Sequence, residues 1–276
     1  MARFEKITYE SASGERVVFG EAGLYINAND LRNYEWSYDS KNDTVSNLRR
    51  KVAKKKLPLV MVQNTEEAGI ALKNKLYSLT ERDVRLNTPG KIWCGDFYLS
   101  GFVVKAAVSK YSKTARAFKD DLTFVTSTNS GWIKEIKKNF VPESSAEQEG
   151  ADYPYDYMYD YSNPLVSDNV YNSSIVPCDF QITIYGPCNE PVIYVGSHEY
   201  RVDVNLQNSE KLVIDSQNKV IKLVRRNGKE ENAFMYRDTS SYIFRKIEPG
   251  VNKITVSEDF DFTITLYDER SQPEWT

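Results

Sequence analysis

The chemistry this chain could perform is bounded by a short set of side chains. His198 is the single histidine in 276 residues. It follows Gly196 at a turn and precedes a strand-like run, with no cysteine or second histidine at metal-ligand spacing. A general base needs a nucleophile within reach, and no nucleophile motif accompanies it, so a surface-turn histidine is the expectation. Asp152, Asp156 and Asp160 share one face if their segment is extended. They lack the glycine turn and closing glutamate of an EF-hand loop. A glycosidase needs two carboxylates across one bond, and 39 acidic residues offer no specific pair. Cys94, Cys178 and Cys188 are too few and too scattered for a disulfide framework or a paired metal site. Buried free thiols are expected, with a Cys178–Cys188 pair as the other possibility. There is no GxGxxG, no Walker loop and no GxSxG elbow. The expectation is a protein that is not an enzyme, with no cofactor and no metal.

Two other patterns speak of surfaces. In Asp152-Tyr-Pro-Tyr-Asp-Tyr-Met-Tyr-Asp-Tyr161, Tyr153, Tyr155, Tyr157, Tyr159 and Tyr161 occupy every second position. An extended backbone would line all five rings on one side and the carboxylates on the other. Such a stripe reads as a docking strand at a junction, or else as a linker with surplus tyrosines. Arg49, Arg50, Lys51, Lys54, Lys55 and Lys56 place six positive charges in eight residues. They would suit phosphate contact, or a solvated or subunit-facing hairpin whose charges guard an exposed edge. The hairpin is the preferred reading, with no specific nucleic-acid binding. Tyr194, Tyr200, Tyr236 and Tyr242 would suit stacking on sugar rings, though aromatics also pack routinely across sheets.

The elements that must position these residues are mostly strands. Arg16–Phe19 and Leu24–Ile26 are short alternating runs between glycines, and Val45–Val62 is a longer strand-like region interrupted by the basic run. One helix is signalled: Thr65 caps it, Glu66 and Glu67 suit its positive end, and Ala68, Leu72, Leu76 and Leu79 form one stripe. Lys91–Cys94 and Phe97–Leu99 form a hairpin around Gly95-Asp96, and Leu122–Val125 with Trp132–Ile136 a further pair. In the second half, strands are expected at Phe180–Tyr185, Val192–Val195, Tyr200–Val204, Lys211–Asp215, Val220–Val224, Ser241–Phe244, Lys253–Val256 and Phe260–Tyr267. Regular short strands with turn residues between them predict a β-sandwich.

An apolar fraction of 41% and a charged fraction of 27% are ordinary for a globular protein. No apolar run approaches the roughly 20 residues that span a bilayer, so no membrane insertion is expected. Met1–Glu10 has no apolar core of a signal peptide, which predicts synthesis in a cytoplasm. The net charge of −3 conceals a polarity, since residues 1–150 carry 24 Lys and Arg against 19 Asp and Glu, and residues 151–276 carry 12 against 20. Opposite signs favour ordered stacking or partner choice.

The chain resembles the distal tail proteins (Dit) of siphophages that infect Gram-positive bacteria, and related prophage components. In the first half the likeness lies in Leu31-Arg-Asn-Tyr-Glu-Trp-Ser-Tyr38, Lys55-Lys-Leu-Pro-Leu59, Thr65-Glu-Glu67 through Lys73-Asn-Lys-Leu-Tyr77, and Pro89-Gly-Lys-Ile-Trp93. Val125-Thr-Ser-Thr-Asn-Ser-Gly-Trp-Ile-Lys-Glu135 and the tyrosine segment continue it. Ile184-Tyr-Gly-Pro187, Leu212-Val-Ile-Asp215, Gly250-Val-Asn252 and Asp268-Glu-Arg-Ser-Gln-Pro-Glu-Trp275 complete it. The resemblance implies a mainly β chain: an N-terminal ring-forming domain with one helix over 1–150, a connecting segment over 151–164, and a C-terminal galectin-like β-sandwich over 165–276. It implies a homo-hexameric ring at the tail tip of a virion, joining the tail tube protein to the tail-tip hub and supporting a receptor-binding protein. Tyr38–Lys56 would then reach a neighbouring subunit. A carbohydrate-binding module for the host wall, and the same adaptor in a phage-tail-like bacteriocin, are the readings left beside it.

Overall fold

The structure, a computed structural model, describes residues 6–21, 23–26, 29–111, 116–128, 131–141 and 169–274. The chain divides into two compact units: Met1–Lys134 with Glu269–Thr276, and Glu135–Asp268. The tyrosine stripe Tyr153–Tyr161 lies outside the described residues.

In the first unit, alternation decides which face of each strand is buried. It contains β1 (Ile7–Glu10), β2 (Arg16–Phe19), β3 (Leu24–Ile26), β4 (Ser37–Lys41), β5 (Thr44–Arg49) and β6 (Lys54–Val62). The helix α1 (Glu66–Arg85) follows, then β7 (Gly90–Cys94), β8 (Phe97–Tyr111), β9 (Ala117–Thr126) and the start of β10 (Trp132–Phe140). Along β6 every second side chain is buried: Lys55, Leu57, Leu59 and Met61. Its antiparallel partner β9 turns Phe118, Leu122 and Phe124 into the same core. The neighbours run β10-β8-β7-β1-β2, while β9 pairs with β8 and β6, and β6 with β3. Fully burying a Leu or Met side chain contributes about 1.5–3 kcal/mol. These inward rows are therefore what hold the unit together.

The expected helix forms. The hydroxyl of Thr65 accepts the Ala68 N–H at 3.2 Å, Glu66 and Glu67 sit in the first turn, and Arg82 and Arg85 in the last. It buries Leu76 and Leu79 and packs on β8. Asn87, just past its end, adopts φ 51°, the left-handed conformation that stops helices. A buried carboxylate fastens its last turn to the start of the chain. Asp83 accepts the Tyr9 hydroxyl at 2.5 Å, the Ser11 hydroxyl at 2.6 Å and the Ala12 N–H at 3.1 Å. Burial, then the Asp83 carboxylate, pushes the Tyr9 phenol far above its ordinary pKa, so it stays a donor.

The second unit holds the rest of β10, β11 (Asn169–Asn172), β12 (Asp179–Tyr185), β13 (Cys188–Asn189), β14 (Val192–Val195), β15 (His198–Arg201) and β16 (Asn205–Leu206). Then come β17 (Lys211–Asp215), β18 (Val220–Val224), β19 (Glu230–Asn232), β20 (Gly250–Val256) and β21 (Phe262–Arg270). Strands in the order β19-β18-β17-β12-β21 form one layer, and β11-β20-β14-β15 another. Phe180, Ile182, Ile184, Leu212, Ile214 and Ile264 from the first meet Val170, Ile193, Tyr200 and Ile254 from the second in one core. This is the expected sandwich, and the chain is mainly β. Cys94, Cys178 and Cys188 are buried thiols in no disulfide. Burial pushes the Cys178 thiol up to about 12 and that of Cys188 to about 11.

One expected strand is absent. Ser241–Phe244 runs as bend and turn: the Arg245 N–H turns back to the Tyr242 carbonyl instead of joining a ladder, and Ile243 and Phe244 are both buried.

Candidate assembly surface

The basic run does not act as a unit. Its residues divide between a projecting hairpin and the strand that anchors it. Lys55 belongs to the inward row of β6, and its ammonium turns to the loop that precedes the hairpin. It donates to the carbonyl of Asp30 at 3.2 Å and to that of Asn33. The Asp30 carboxylate in turn accepts the Lys56 N–H at 2.6 Å. Burial pushes the Lys55 pKa down, and the Asp30 charge works against that shift. Lys51, Lys54 and Lys56 are exposed.

Arg50 is the second anchor. Its guanidinium pairs with Glu269, donates to the Ser271 hydroxyl at 3.1 Å, and lies 4.6 Å over the Trp36 ring. Glu269 also accepts the Gly131 N–H at 2.8 Å. The Nε of Arg50 is buried with no hydrogen-bond partner among the described residues, and the cation is held by its other nitrogens and by the ring. Arg32 donates to the carbonyls of Pro273 and, at 3.2 Å, Glu274. Residues 269–274 thus complete the base from which the hairpin rises.

The hairpin itself is β4 paired with β5 alone. Asn42 and Asp43 at its tip have φ of 50° and 58°, which fits the two-residue turn that matches strand twist. The pairing slips between Ser37 and Asp39, and Asn47 takes φ 50° opposite the slip. Asp39 ties the two strands, accepting from Asn47 at 3.1 Å and from both terminal nitrogens of Arg49 at 3.1 and 3.2 Å. The Asn47 amide, then Arg49, holds the Asp39 carboxyl below its usual range.

Apart from half-buried Ser37, every residue of the two strands is exposed. These include Tyr38 at 60%, Val45 at 56% and Leu48 at 63%, with Tyr34 and Val52 exposed beside them. A lone two-stranded ribbon is marginal in water. Exposed apolar side chains on one, anchored by the buried Lys55 and the half-buried Arg50, fit a surface made to be covered. The sequence marked the basic run. It gave no contact to Trp36, Asp39 or Glu269, whose roles depend on partners distant in sequence. Lys55 could have been separated from its neighbours by parity with Leu57, Leu59 and Met61.

The remaining sequence candidates fall in the second unit. His198 Nε2 lies 2.9 Å from the Tyr242 carbonyl oxygen, and its ring meets Tyr200 edge-on. Tyr200 is buried and donates to the Arg245 carbonyl at 2.6 Å, so it is a core residue, not a stacking platform. Tyr194, Tyr236 and Tyr242 are exposed. Among the described residues, no group of three or more His, Cys, Asp or Glu is placed to hold a metal ion. No helix among them is long and apolar enough to cross a membrane.

No protein-family model and no curated protein matches the sequence. Solved structures do match the fold. A chain of the phage P2 baseplate in its activated conformation with Ca superposes with a TM-score of 0.61 at 11% identity, covering 98% of this chain and 100% of that one. The same baseplate with Sr gives 0.61 at 12%, with the same coverage. The SPP1 Dit protein, described as a paradigm of hub adsorption apparatus in Gram-positive infecting phages, gives 0.57 at 13%, covering 96% and 99%. At these identities the likeness establishes a shared fold over nearly the whole chain. It is the fold of the distal tail proteins that the sequence resembles.

Proposed function

We propose that this chain is a non-catalytic structural protein of a phage tail tip, closing into a ring of identical copies that joins the tail tube to the hub. The carrying observation is the projecting β4–β5 hairpin with its exposed Tyr38, Val45 and Leu48 on a chain of this fold. A ring needs heterologous contacts: one patch on a subunit meets a different patch on the next, repeated until the rotation closes. An arm that leaves its own body uncovered is suited to that geometry. Obligate contacts of this kind bury roughly 2,000 Å² or more, and the hairpin would contribute apolar area to each.

In this reading Arg50 and Lys55 set the arm's position, while Arg49, Lys51, Lys54 and Lys56 face the neighbour or solvent. The ring is six-fold in the arrangement the resemblance implies, and the particle is a virion or a phage-tail-like bacteriocin. Absolute mass by light scattering, with negative-stain images of the same peak, is the test. A hexameric mass and a ring with a central hole are expected. A chain that stays monomeric with tube and hub proteins present would overturn the reading.

A further inference from the structure

Between β19 and β20 the chain crosses the second unit without regular strand, apart from a single 3-10 turn at Phe234–Tyr236. This stretch, with Lys219 from the β17–β18 turn, walls an open groove of about 600 Å³. That size is ordinary for a small-ligand site. From these residues the geometry points to a carbohydrate-binding groove, with a neutral pyranose stacked on Tyr242 and its hydroxyls met by Asp238, Thr239 and Ser240.

A sugar ring offers a C–H face and a rim of hydroxyls, and the groove presents a partner for each. Tyr242 is 61% exposed, yet it is not loose. Its ring stands edge-on to buried Phe244 at 6.1 Å, and its carbonyl accepts the Arg245 N–H at 3.0 Å and faces His198 Nε2. A ring held this way loses little freedom when a ligand settles on it. Phe234 stacks on Phe244 at 6.1 Å, and both line the groove with Tyr242.

The polar side is mixed in the manner hydroxyls require, since each is both donor and acceptor. The Asp238 carboxylate accepts the Ser240 N–H at 2.9 Å and the Ser240 hydroxyl. Those two bonds leave acceptor capacity for a ligand, because an ionised carboxylate has about four lone-pair sites. Thr239 is exposed beside it. Cations stand at both ends: Lys219 Nζ lies 5.8 Å from the Tyr242 ring centre, and the Arg237 guanidinium 3.9 Å over Phe234. Their two charges against that of Asp238 leave one positive charge in surplus, so a neutral sugar is recruited by the stacking ring and the hydroxyl partners and not by charge.

The experiment is saturation-transfer NMR on the full chain with lactose, maltotriose and chitotriose as probes. Transfer to the ring C–H protons of at least one is expected. Tyr242→Ala should weaken binding about ten-fold through loss of stacking. Tyr242→Phe should retain most of it, and Tyr171→Ala, an exposed ring outside the groove, should change nothing. Thr239→Trp, which fills the groove from an exposed position, should abolish it without touching Tyr242. No transfer from any of the three saccharides would overturn the inference, as would equal transfer in Tyr242→Ala and Thr239→Trp. The readout does not depend on ring formation, so its failure leaves the assembly reading standing.

Discussion

Lys55 shows how a charged side chain can be structural in a run of charges that otherwise faces water. Its stem lies in the inward row of β6 and its ammonium closes the loop at Asp30 and Asn33. Leaving those carbonyls unpaired costs about 1–3 kcal/mol, so Lys55→Ala should lower stability by that order in urea titrations. Lys54→Ala, one residue away and exposed, should stay within about 0.5 kcal/mol. Asp83 makes the same point with the opposite charge. Asp83→Asn removes an acceptor from the Tyr9 and Ser11 hydroxyls, and should cost about 1–3 kcal/mol by the same measurement. At Asp39 the consequence is pH dependence. Its folded carboxyl is held below the ordinary value of 3.8, so its contribution is present above that value and is lost as pH falls through the folded one. Amide exchange of the hairpin should therefore be unchanged from pH 7 to 5 and quicken below about pH 4, relative to a Tyr9-strand amide, once intrinsic rates are divided out.

At the scale of elements, the proposed role of the hairpin separates folding from assembly. Tyr38→Ser with Leu48→Ser removes side chains that are 60% and 63% exposed in their own chain. The monomer's unfolding midpoint should shift little, since exposed substitutions stay within about 0.5 kcal/mol each. Ring mass in light scattering should fall to that of the monomer; intact rings would show that the arm is not the joint. The elements were readable from sequence where local rules suffice. Thr65 with Glu66 and Glu67 announced the helix, Gly95-Asp96 announced a hairpin, and alternation announced β12 and β17. The pattern failed at Ser241–Phe244, where two consecutive inward side chains mimic the apolar content of a strand without its period. It was also silent on Trp36 and Arg50, because a ring and a guanidinium fourteen positions apart carry no local sign that they stack.

For the whole molecule, the two units differ in how much chain each needs. The second is one continuous stretch, Glu135–Asp268, with its own core. Expressed alone, it should unfold in a single cooperative transition by circular dichroism. The first unit is discontinuous: it takes Glu269 against Arg50, and the Pro273 and Glu274 carbonyls against Arg32. Ending the chain at Asp268 should lower its melting temperature and leave that of the isolated second unit unaltered. Long-range return of this kind has no signature in Asp268–Trp275 read by itself, which is a short polar tail by composition.

That return has a bearing on timing. A ribosome has finished residues 1–134 long before it makes residues 269–274, and at 5–20 residues per second the gap is roughly 10 s. Until residues 269–274 are made, Arg50 lacks Glu269 and Arg32 lacks the Pro273 and Glu274 carbonyls, and the base of the hairpin is unfinished. If the hairpin joins subunits as proposed, a nascent chain cannot yet offer its neighbours an arm on a finished base. In the proposed ring, the late arrival of residues 269–274 would delay polymerisation until the hairpin is anchored.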